Sequence, residues 1–138
     1  MIRNILIFKN MKCLVNWSNA TETLSELLVG YISTIMDIAT IILNEQLIEI
    51  RLEHTTILLA SYERITITII HNHENKIGNG FNKLFDTLFR AFQVHYSEYL
   101  DLPVINIGFF QSFNQVIEEI VMGMNLENVR LQINGAGS

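Results

Sequence analysis

The sequence predicts an α/β domain of the α+β kind, a five-stranded antiparallel sheet with three helices in the order ββαβββαα, helix one on one face and helices two and three on the other. Three observations predict it. The run Ile65-Thr66-Ile67-Thr68-Ile69-Ile70 is β-branched throughout, which suits a pleated strand far better than a helix. Phe81, Leu84, Phe85, Leu88, Phe92, Tyr96 and Tyr99 recur every three or four residues, forming one apolar stripe of an amphipathic helix. The connections between the expected strands are short, which implies antiparallel neighbours.

Residues 2–9 and 12–17 read as the first two strands, with Ile5 and Ile7 opposite in facing to Leu6 and Phe8, and a turn at Asn10-Met11. Ser18, Asn19 and Thr21 are candidate caps for a first helix that runs to about Leu43. Strands at about 46–53, 55–61 and 64–71 follow. Ile77-Gly78-Asn79-Gly80 marks the loop into the second helix, Phe81 to Leu100, whose stripe is expected to face the sheet. After an extended link containing Pro103, a third helix from Phe109 to Met124 carries Phe110, Phe113, Val116, Ile117, Ile120 and Val121 on one side. Residues 1–125 are thus read as one domain and 126–138 as a C-terminal tail, whose end, Gly135-Ala136-Gly137-Ser138, has the character of a vector-derived remnant.

Composition excludes several classes of function. The chain has 138 residues, 49% of them hydrophobic, enough to bury a core, so disorder is not expected. Its net charge is −5 and the nine basic residues are scattered, whereas a nucleic-acid face needs them clustered to displace counterions. The single cysteine, Cys13, excludes a disulfide framework or a Cys-based zinc cluster within one chain and points to a reducing, cytoplasmic setting. The apolar run Leu27 to Leu43 is shorter than the ~20 residues that cross a bilayer and contains Asp37, so membrane insertion is not expected. The N-terminal run Ile5 to Phe8 is too short for a signal peptide, and the sequons at Asn16 and Asn19 are read as unmodified.

Catalytic chemistry finds no constellation. His54, His71 and His73, with Glu74 adjacent, are the candidates for a metal site, but they fall short of a ligand set with fixed geometry and are expected to be exposed loop histidines. His95, at the edge of the second helix's stripe, is expected to be structural. Cys13 is expected to be buried and inert. Ser33, Ser61, Ser97 and Ser112 lack the glycines of a nucleophile elbow, and Gly78-Asn79-Gly80 lacks the rest of any phosphate-binding fingerprint. No catalytic, metal-binding or cofactor-binding residue is assigned, and no cofactor.

The first helix, by contrast, is more apolar than packing on one sheet requires. At 100° per residue, Leu24, Leu27, Leu28, Tyr31, Ile35, Ile38 and Ile42 form one stripe, expected to face the sheet. Val29, Ile32, Met36 and Leu43 form a second beside it, so the apolar arc spans roughly 200° where about 100° suffices. This second stripe, flanked by Ser33, Asp37 and Thr40, is expected to be the exposed seam of a protein interface.

The order ββαβββαα, with a long first helix and two consecutive helices at the end, resembles the longin domain over nearly the whole chain. Met1-Ile2-Arg3 through Ile5-Leu6-Ile7, then Leu14 and Trp17, look like the opening of clathrin-adaptor small subunits. Tyr99-Leu100-Asp101-Leu102, followed by a helix with Glu118-Glu119 and Gly123, is similar to the C-terminal half of the same family. The first helix, Leu27 to Ile35 and on to Ala39, looks more like the longin proteins of archaea and of exchange-factor complexes for Rab-type GTPases. The resemblance implies a non-enzymatic scaffold that forms a homo- or heterodimer, pairing with itself or with another longin or roadblock-type domain, and that associates with small GTPases or vesicle-trafficking partners. No SNARE motif or membrane anchor is expected after residue 124. The alternative is a small-molecule sensor of PAS-like architecture, which requires a partly polar pocket; an enzyme that uses the histidines is the remaining rival.

Overall fold

The computed structural model describes residues 2–10, 12–19, 26–72, 80–102 and 107–136, with side chains up to Met124 in the last stretch. Within these residues lie strands β1 (Ile2–Lys9), β2 (Lys12–Ser18), β3 (Glu49–Arg51), β4 (Thr55–Ser61) and β5 (Thr66–Asn72). The helices are α1 (Glu26–Asp37), α2 (Gly80–Tyr96) and α3 (Phe113–Ala136). The class is α+β, with one five-stranded antiparallel sheet in the spatial order β2-β1-β5-β4-β3.

β1 is inside the sheet, with Ile5 opposite Trp17 on one side and Ile69 on the other. A strand in that position is covered on both faces, which is why Ile5, Leu6, Ile7 and Phe8 are all buried. Asn10 makes the turn to β2 at φ 54°, in the left-handed region that Asn tolerates better than most side chains. The pairing of β1 with β2 shifts register between Ile7 and Phe8, where Cys13 and Val15 are the successive partners and Leu14 is the extra residue of a bulge.

Alternation along the strands sorts the core into two layers. Ile5, Ile7, Ile67, Ile69 and Trp17 belong to a cluster with Leu84, Leu88 and Phe92 of α2 and with Phe113 and Ile117 of α3. Leu6, Phe8, Ile57, Leu59 and Ile70, which point the other way, pack with Ile32 of α1. The first layer is aromatic: the Phe92 ring lies 5.3 Å from both Tyr96 and Phe113 and 5.8 Å from Phe110. An indole N–H donated by Trp17 to the Glu118 carboxylate (2.8 Å) ties α3 to the edge strand β2. Thr68, fully buried between Leu6 and Leu59, leaves its hydroxyl without a partner. Thr68→Val keeps the shape and removes the orphaned group, so it should raise stability by about 1 kcal/mol or more in urea denaturation; a loss would show that the hydroxyl is bonded.

Several boundaries differ from those expected. Ser18 closes β2, and Asn19 turns back onto β1, its amide donating to Arg3 O (2.9 Å) and its side chain to Ile2 O (3.1 Å). Thr21 lies outside the described residues, as does Leu24. α1 passes into a π-helical turn, Ile38–Ile42, that ends where Asn44 takes φ 54° and the Glu45 amide donates to Ala39 O (2.9 Å). β3 is only three residues long, and α2 gives way to a 3₁₀ turn at Ser97–Asp101. The backbone of α3 continues to Ala136, through the expected tail, with no proline to stop it.

Candidate functional site

Among the described residues, large apolar side chains are exposed along the outer face of α1 and the turn that follows it. Leu27 is 68% exposed, Tyr31 57%, Ile38 46% and Ile42 72%, with Leu28 and Ile35 also open between them. These are the residues whose spacing predicts contact with the sheet. The structure exchanges the two stripes: Ile32 (1% exposed) and Ser33 are buried, and Val29 and Met36 are partly buried against the second core layer. Of the expected interface, Asp37 is half-buried, and Thr40 and Leu43 are exposed.

Hydrophobicity cannot rank two apolar stripes, but volume can. The sheet face beneath α1 already presents Phe8, Leu6 and Ile70, and the side of the helix that meets it has small members, Ser33 and Ala39, both buried. Tyr31 and its neighbours would overfill a layer packed to crystal-like density. The outer row is extended by residues that the helical spacing does not single out. Ile41 is open, and so are Ile48 and Leu52, which flank β3. Their signal in the sequence is the alternation Ile48-Glu49-Ile50-Arg51-Leu52.

The other candidates are placed apart. His71 is in β5, on which the strand expected at 64–71 also ends; it is buried, stacks on Phe81 (4.5 Å between ring centres) and shares a 2.9 Å hydrogen bond with Asn72 O. This corrects the expectation of an exposed histidine, because alternation with Ile69 turns it towards the α2 layer. His54 is exposed beside Glu53 (3.5 Å), His95 is exposed on α2, and His73 and Glu74 lie outside the described residues. Among the described residues, no group of three or more His, Cys, Asp and Glu is placed to hold a metal ion, and no helix is long and apolar enough to cross a membrane. A cleft of about 470 Å³ opens where Glu49, Arg51, Thr56, His71, Phe81 and Asn82 converge, but Arg51 is already paired with Glu49 at 2.9 Å.

Cys13 is half-buried and donates its thiol to Val15 O (3.3 Å). Burial pushes its pKa up to about 11 from 9.0, outweighing the contact with the Val15 backbone. At pH 8 the thiolate fraction should therefore be about a hundredfold below that of an ordinary thiol. Iodoacetamide should label the native protein slowly and the urea-unfolded chain fast; rapid native labelling would contradict this placement.

Fold and surface together define an α+β protein whose first helix buries one apolar face on the sheet and exposes a second. No protein-family model and no curated protein matches this sequence.

Proposed function

We propose that this chain is a non-enzymatic protein-interaction scaffold of longin type, working in the cytoplasm and associating with small GTPases or vesicle-trafficking partners. The observation that carries the reading is the outer row of α1, which presents large apolar side chains on a helix whose opposite face already serves the core. The longin layout implied by the sequence, ββαβββαα with one helix on one face and two on the other, fits the order of elements and the two core layers.

Affinity capture from the native lysate tests the proposal. The wild type should retain a small GTPase or a trafficking protein, and Ile35→Glu, on the exposed row, should lose it. Identical captured sets for the two proteins would count against the surface. Recovery of a stoichiometric small molecule, lost on Phe81→Ala at the half-polar cleft, would favour the PAS-like sensor instead.

A further inference from the structure

Resting on the reading of α1 as a binding surface, we propose that the partner inserts a basic side chain, lysine or arginine, into a polar recess at the C-terminal end of that helix. The recess holds about 200 Å³. It is lined by Met36, Asp37 and Thr40 from the end of α1 and the turn after it, by Leu47, and by Ser61 and Glu63 where β4 leads into β5. It adjoins the exposed apolar surface, since Ile38 and Ile41, close in the chain to Asp37 and Thr40, are both open.

Charge selects a cationic group. Among the described residues neither Asp37 nor Glu63 forms an ion pair, and Arg64, which lines the same recess, is held by Asp101. Asp37 is half-buried, so its carboxylate is less well screened by water than one on an open surface, and a cation brought to it gains more. Size and lining narrow the occupant further. The recess falls below the ~300 Å³ at which ligand pockets begin, which is small for a nucleotide or cofactor but enough for one long side chain. A basic side chain lays its methylenes against Met36 and Leu47 and brings its head to the carboxylates and to the hydroxyls of Thr40 and Ser61. An acidic side chain would be repelled there, and a purely apolar one would leave the carboxylates unpaired.

Proton–nitrogen correlation spectra of the full chain test this, with n-butylammonium standing in for lysine, n-butylguanidinium for arginine and n-butanol as the neutral control. At least one cation should shift the amides of Asp37, Thr40 and Ser61 along a saturable curve, the tighter of the two naming the side chain, and butanol should not. Asp37→Asn should weaken that binding by roughly tenfold, the loss of one hydrogen bond to a charged group. Should this variant fail to fold, Glu63→Gln, exposed in the turn between β4 and β5, takes its place. Absence of saturable shifts, equal shifts with butanol, or unchanged affinity in the folded variant overturns the proposal. If Ile35→Glu still loses its captured partner in that case, the interaction reading stands and the recess alone falls. If the cations bind but Asp37→Asn captures the same proteins as the wild type in equal amount, the recess lies outside the interface and the proposal falls as well.

Discussion

Ile32→Glu should unfold the domain, while Ile35→Glu, three residues further along the same helix, should leave it folded. Ile32 is 1% exposed and is surrounded by Leu6, Phe8, Ile57, Leu59 and Ile70. A carboxylate there loses its hydration and gains no partner, at a cost of several kcal/mol, comparable with the ~5 to 15 kcal/mol that holds a domain together. Ile35 is 41% exposed, so its replacement can keep the charge in water. Far-UV circular dichroism with urea denaturation separates the two. The reverse outcome, a folded Ile32→Glu and an unfolded Ile35→Glu, would restore the assignment of stripes that helical spacing alone suggests.

Phe92→Ala and Phe113→Ala should each lower stability by ~3 to 5 kcal/mol, because both rings are fully buried and removing either leaves a cavity among aromatic neighbours that cannot collapse to fill it. For a chain of this size the melting temperature should fall by on the order of 10 to 20 °C. Val94→Ala, on the same helix as Phe92 but 80% exposed, should change stability by no more than ~0.5 kcal/mol. Thermal melts of the three variants check the contrast. Unchanged melting of Phe92→Ala together with the loss of a bound small molecule would identify the stripe as a ligand box and not as core.

The stripe on α2 was legible because only one face of that helix is apolar: Leu84, Phe85, Leu88, Phe92 and Tyr96, read at helical spacing, are its buried residues. Phe113, Ile117 and Val121 of α3 were legible for the same reason. α1 lacked this asymmetry. With apolar residues around more than half of its circumference, either stripe satisfied the pattern, and Val29, Ile32 and Met36 went to the sheet. The sequence ends a strand on His71 but does not show what covers it: Phe81 of α2 stacks on its ring, and the β5 ladder holds it opposite Thr56 and Ile2.

By itself the sequence determined the α+β class, the antiparallel sheet and the buried faces of α2 and α3, because alternation in twos and recurrence in threes and fours are local properties of the chain. Only the tertiary structure decided which side of α1 meets the sheet and that His71 lies under Phe81. Each of those depends on volumes and directions contributed by residues distant in sequence. The face of α1 that fits is set by the space that β1, β4 and β5 leave between their side chains, and the residues of α1 alone do not fix that space.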